Sequence, residues 1–154
     1  MSRQRLIELR ETAANLPSGT SEEISSAISR FLIIRSAGHI EYTFDECLNC
    51  YATSKAHPNV ANFVKSGLFS GRNPSPEKLV SQLSRLSPDW GRSLERMLSA
   101  DDEAVRRELA FLVDRRNRIA HGQNESVRMR KTLELCDMSL GIGDFFVHAI
   151  DPRT

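Results

Sequence analysis

The sequence predicts an all-α bundle of five or more helices, two of them long. Three observations carry that reading. Apolar residues recur at three- and four-residue spacings through most of the chain. Sustained period-two alternation, the mark of half-buried strands, is missing. Aromatic residues, which strands favour, make up only 6% of the composition. At 154 residues the chain is expected to form one domain, 1–154, with a core of its own.

The elements follow in order. A first helix is expected from Ser2 to Leu16, with Leu6, Ile7 and Leu9 among Arg and Glu, and Pro17-Ser18-Gly19 stops it. Residues 1–19 are thus an N-terminal helix and turn. Thr20-Ser21-Glu22-Glu23 reads as a capping box, the Thr20 hydroxyl accepting from the Glu23 amide while the Glu23 carboxylate reaches back. The helix it opens meets no proline until His57-Pro58 and is expected to end near Ala56. On it Ile24, Ile28, Phe31, Arg35 and Gly38 share one face, and Ile33, Ile40, Phe44 and Tyr51 lie nearly opposite. Apolar on both sides, this helix is expected to be central, packed between neighbours.

Shorter pieces come next. Val60–Val64 supports two or three turns before Ser66-Gly67, and Ser70-Gly71-Arg72-Asn73-Pro74-Ser75-Pro76 is a turn-rich stretch too short for an interdomain linker. Pro76 suits the first turn of a helix carrying Leu79, Val80, Leu83 and Leu86. Ser87-Pro88 restarts another, with Trp90, Leu94 and Leu98 as its stripe. Ser99-Ala100-Asp101-Asp102 is expected to cap a further helix reaching about Arg118. Gly122-Gln123-Asn124 breaks the chain, and a last helix runs from Glu125 to about Ile150. There is no internal repeat and no low-complexity tract.

Composition narrows the function classes. With 21 Lys and Arg against 20 Asp and Glu, the overall charge does not mark a nucleic-acid binder. Three cysteines, an odd number, give no disulfide framework and point to a reducing compartment. Met-Ser-Arg-Gln-Arg leads into no apolar signal region, and no apolar run is long enough to span a membrane. A cytoplasmic protein is expected. Cys47-Leu48-Asn49-Cys50, with His57 beyond, lacks the second pair a zinc site needs, so neither metal nor cofactor is expected. His39 and His148 read as packed residues, and Gly141-Ile142-Gly143 as close helix packing.

One segment carries chemistry. On the helix after Ser99, Val105, Leu109, Leu112 and Val113 form a stripe within about 100° of arc, and Arg116 falls at about 20° inside it. A guanidinium there needs a carboxylate, a cavity or a subunit interface, because an unpaired buried charge costs several kcal/mol. Arg115 and Arg118 point elsewhere and are expected to face solvent. His121 follows five residues after Arg116, about 140° away on an ideal helix. Either the helix ends between them or a second copy supplies the partner residue; Gly122 is a good terminator. Residues 106–131 carry a net +5, leaving −4 for the rest, a plausible phosphate footprint that includes Arg115, Arg118, Arg128, Arg130 and Lys131. With 17 Arg and 4 His, Arg-x4-His alone arises by chance roughly 0.4 times, and roughly 0.02 times when Asn must follow the Arg, as Asn117 does.

Arg116-Asn117-Arg118-Ile119-Ala120-His121-Gly122 resembles the signature motif of HEPN domains, and with Ile34-Arg35-Ser36-Ala37-Gly38-His39-Ile40-Glu41 it resembles the RiboL-PSP-HEPN branch. The similarity spans about residues 20–150. It implies a HEPN-like helical bundle that homodimerises, bringing two motifs into one composite cleft. It also implies metal-independent endoribonuclease activity in many members, often in toxin–antitoxin or antiviral defence systems, with an antitoxin or an associated defence protein as partner. Other members are non-catalytic modules that bind RNA, a nucleotide or a protein. HEPN toxins silenced by a partner nucleotidyltransferase usually carry Tyr two residues after the motif His; here that position is Gln123. Glu41 sits where the family pattern places an acid.

The chemistry fits these residue types. Cleaving RNA without a metal requires a group to take the 2′-hydroxyl proton and positive charge to stabilise the phosphorane. The His121 imidazole suits the first task, and the Arg116 fork suits non-bridging phosphate oxygens. Asn117 can bond a phosphate or orient the His. Glu41 can pair with Arg116 or with Arg35, and Arg35 with Glu41 or Asp45; the spacing leaves these pairings open.

Overall fold

The computed structural model describes residues 2–71, 73–123 and 125–151, and every regular element among them is helical. In order these are α1 (Arg3–Ala14), α2 (Glu22–Lys55), α3 (Pro58–Ser66), α4 (Pro76–Leu86), α5 (Pro88–Ala120) and α6 (Met129–Ile150). The all-α expectation is met; α2, at 34 residues, is the longest uninterrupted helix, whereas the 33 residues of α5 are two helical segments that meet at Ala100–Glu103. Arg72 of the turn stretch and Asn124 of the break lie outside the described residues.

Most helix starts follow the local chemistry. Ser75 and Ser87 accept from the amides of Lys78 and Trp90, each followed by proline at the first helical position. The start of α2 lies one residue later than expected: Ser21, not Thr20, is the cap, its Oγ accepting from the Ile24 amide at 3.3 Å. The last helix begins at Met129 rather than Glu125, because Glu125 is held in the preceding loop by Arg115 and Arg118.

The break expected at Ser99–Asp102 is a kink within α5. Ala100 is extended, and Asp101, Asp102 and Glu103 take φ of +49°, +56° and +58°, a region disfavoured for residues with a Cβ. Arg106 braces the bend, reaching Glu95 at 2.5 Å, Glu77 of α4 at 3.3 Å and Glu103 at 3.7 Å.

The core lies where α2, α5 and α6 meet, with α4 closing it against α5. Ile33, Ile40 and Phe44 of α2 pack there with Leu109 and Leu112 of α5 and Leu135, Ile142 and Phe146 of α6. Phe44 and Phe146 meet edge to face at 5.1 Å. Each such fully buried side chain contributes about 1.5–3 kcal/mol relative to exposure. α1 is more lightly held: Leu6 and Ala13 pack with Leu32 and Cys136, and Arg3 and Arg10 fork onto Asp144 and Asp137 of α6.

His39 is buried, as expected, in the α2–α6 seam. A Cβ on Gly143 would lie 2.7 Å from its Nε2, so the close packing expected at Gly143 is a requirement of this imidazole. His148, by contrast, is exposed, because its position on α6 faces away from α2. The two-sided packing expected for α2 is corrected in the same way. The Ile33, Ile40 and Phe44 side is covered, whereas Ile24 is 55% and Phe31 48% exposed, with Ile34 and Tyr42 on the same uncovered side.

Candidate functional site

α5 delivers Arg116 from the continuation of its buried stripe to the edge of α2. Its guanidinium is half-buried, and Nη2 lies 3.9 Å from Glu41 Oε2, while Nη1 donates to Asn117 Oδ1 at 3.1 Å. Of the partners open to Glu41, the structure therefore places Arg116 against it. Asn117 fixes the arginine rather than the histidine. Burial pushes the Glu41 carboxyl above the ordinary range; Arg116 opposes that and nearby Asp45 adds to it.

On the solvent side Arg116 shares a groove of about 270 Å³ with Ile34, Arg35, Gly38 and Tyr42 of α2. The Arg35 guanidinium lies over the Phe31 ring, 5.7 Å from its centroid. Two cations on one concave surface, with apolar and aromatic walls, make a site suited to a phosphate oxygen and what is attached to it.

His121 is the C-cap of α5, its amide donating to the Asn117 carbonyl at 3.0 Å, and Gly122 turns the chain with φ +76°, as the terminator reading requires. Its ring is exposed and makes no hydrogen bond among the described residues. α5 stays helical to Ala120, so Arg116 and His121 leave it about 140° apart, and no hydrogen bond joins their side chains among the described residues.

The basic segment is far less available than its net charge implies. Arg115 does not face solvent: it stacks on Phe111 at 4.8 Å and pairs with Glu125. Arg118 pairs with Asp114 at 3.0 Å and Glu125 at 3.1 Å. Burial works against the ionised Glu125, but the hydrogen bonds from Arg118 and Arg115 outweigh it and hold that carboxyl below the usual range. Lys131 is tied to Glu108 at 2.5 Å and Arg130 to Glu134 at 3.2 Å. Arg128 is exposed and makes no ion pair among the described residues. Several counter-charges, Glu77, Glu95, Asp102 and Glu134, come from outside the 106–131 window.

Sequence reasoning missed Tyr42 and the role of Gly38. Tyr42 stands four residues after Gly38 and seven after Arg35, a spacing that sets all three on one side of a helix. Cys47 and Cys50 lie on α2 outside any disulfide among the described residues, and His57 is the exposed cap of α3. Among the described residues no helix is long and apolar enough to cross a membrane.

A family model described as RiboL-PSP-HEPN matches residues 2–151. No curated protein and no solved structure matches the chain.

Proposed function

Because the chain belongs to the RiboL-PSP-HEPN family of the HEPN superfamily, we propose that it is a homodimeric endoribonuclease that cleaves RNA without a metal ion. The observation that carries this is the half-buried Arg116, braced by Glu41 and Asn117 and opening into a groove with Arg35, while His121 stands exposed on another side of the same helix. The split is resolved when a second copy brings its own motif to the groove. The uncovered apolar side of α2, with Ile24, Phe31 and Ile34, supports such a pairing.

In this reading Arg116 holds the non-bridging oxygens of the scissile phosphate and stabilises the charge of the pentacovalent state. One His121 removes the 2′-hydroxyl proton as the 2′-oxygen bonds to phosphorus. The other His121 protonates the departing 5′-oxygen as its bond to phosphorus breaks. The products carry 2′,3′-cyclic phosphate and 5′-hydroxyl ends. A cytoplasmic setting in toxin–antitoxin or antiviral defence, under an antitoxin or an associated defence protein, is part of the same proposal. A non-catalytic module binding RNA, a nucleotide or a protein is the second reading, favoured by the lack of any intrachain group orienting His121 among the described residues.

The test incubates RNA with purified protein in excess EDTA and identifies the product ends. Cleavage that survives chelation and is lost in both Arg116→Ala and His121→Ala is expected. Mixing the two variants adds a readout: activity returns if one site joins Arg116 of one copy to a single His121 of the other. It stays lost if both imidazoles are needed. Activity that requires added metal, or that survives unchanged in both variants, removes the mechanism; RNA binding without turnover selects the second reading.

A further inference from the structure

Beside the groove, on the side of the α3–α4 loop, two exposed aromatic rings touch. Tyr42, a wall of the groove, is 43% exposed, and Phe69 is 46% exposed; their centroids are 5.8 Å apart with planes tilted by 49°. A single exposed apolar residue is ordinary. This pair is not, because the fold takes trouble to hold it. Phe69 has φ +56°, a backbone region that a bulky side chain rarely occupies. The buried Asp45 carboxylate keeps it there by accepting from the Phe69 amide at 2.7 Å. The ring is thus fixed outside the core, in contact with a groove residue, by an internal tether.

Aromatic faces next to a cationic groove match the chemistry of an unpaired nucleotide, whose base stacks while its phosphate is held by positive charge. We propose that Tyr42 and Phe69 form a stacking platform for an unpaired base of single-stranded RNA whose phosphate occupies the Arg35–Arg116 groove. This deepens the ribonuclease reading and rests on it. It makes the two rings selectivity determinants. Bases within an A-form duplex are paired inside the stack and present no free face to such a platform.

The test uses His121→Ala as the parent, so that RNA is bound and not consumed. The probe is a single-stranded oligoribonucleotide carrying 2-aminopurine, whose fluorescence is quenched by stacking. Quenching on binding is expected. Tyr42→Ala and Phe69→Ala should each weaken binding by about tenfold and reduce the quench. Tyr42→Phe and Phe69→Tyr should restore both, and a blunt duplex of the same sequence should bind more weakly than the single strand. Circular dichroism and sedimentation of each variant separate stacking from misfolding and from loss of the dimer. Parental affinity and quench in both alanine variants would overturn the platform. So would equal affinity for duplex, or affinity lost only together with dimerisation, which would assign the rings to a contact between copies. If those alanine substitutions, made in the otherwise unmodified protein, leave RNA cleavage at its normal level, the platform falls and the ribonuclease stands. If the unmodified protein neither binds nor cleaves RNA, both fall.

Discussion

Gly38 offers a way to fill the groove from within one chain. It lies mid-helix in α2, half-exposed, and a Cβ built on it meets nothing within 4 Å. Replacing a helix-interior glycine by leucine gains about 0.8 kcal/mol in helix propensity, and its Cβ is admitted without contact. For a domain of this size that corresponds to a rise in Tm of about 2–3 °C. The side chain projects into the groove of about 270 Å³ that Gly38 shares with Arg35, Tyr42 and Arg116. A phosphate displaced by about 1 Å is enough to cost about 100-fold in rate. Gly38→Leu is therefore expected to be more stable than the unmodified protein and at least about 100-fold slower on single-stranded RNA. Gly38→Ala should keep the added stability with a smaller loss of rate. Thermal melting and a timed cleavage assay on the same preparations read both quantities. A stable Gly38→Leu protein that cuts RNA at the normal rate would refute the assignment of the phosphate to this groove. A lowered Tm would refute the claim that the space is open.

Three further outcomes are expected. Burial raises the Glu41 carboxyl, so the folded chain keeps a proton to higher pH than the unfolded one. Its contribution is then most favourable in acid and is lost as pH rises from the ordinary carboxylate range through the raised folded value. Glu41→Gln should accordingly gain Tm relative to the unmodified protein as pH rises above the ordinary carboxylate range; a relative loss would show that pairing with Arg116 outweighs burial. Gly122→Ala forces a side chain into φ +76° and should cost about 1–2 kcal/mol of stability while displacing His121, read as a lower Tm together with slower cleavage. Arg3→Ala and Arg10→Ala remove exposed forks to α6, each costing at most about 1 kcal/mol. Faster amide exchange confined to α1 is the expected signature, and uniform acceleration across all helices would show that α1 is integral to the core.

Much of the fold was legible because its signals are local. Proline at the first turn with serine before it placed α4 and α5, and Gly122 placed the end of α5. The cap of α2 slipped by one because adjacent Thr20 and Ser21 can both serve, and backbone geometry selects between them. Covering of α2 was misjudged because periodicity reports which faces are apolar, not whether a single chain has enough helices to cover them. The same limit applied to charge. Counting within 106–131 found the cations, but Glu77, Glu95 and Glu134 answer them from other turns and other helices. Arg116 was legible as a misfit in an apolar stripe, and Glu41 was weighed as a partner for it or for Arg35. Tyr42 and Phe69 were not legible as a pair, since 27 positions separate them and only the return of the chain after α3 joins them.

The pairing of the basic segment bears on how this protein would find RNA at all. Cations held against carboxylates at hydrogen-bond distance, as Arg118 and Lys131 are, project little field beyond their own contacts and release few counterions when a polyanion arrives, whereas Arg116 stands 3.9 Å from Glu41. If only Arg35, Arg116 and the exposed Arg128 meet phosphate in each chain, affinity for single strands should fall with salt at a log–log slope of about −2.1 per chain. All eight Lys and Arg of residues 106–131 would give about −5.6. A molecule built in this way is not drawn indiscriminately to bulk nucleic acid. On the ribonuclease reading it would sample RNA weakly and at close range, abundant folded transcripts would compete poorly, and recognition would rest on whether one flexible stretch fits.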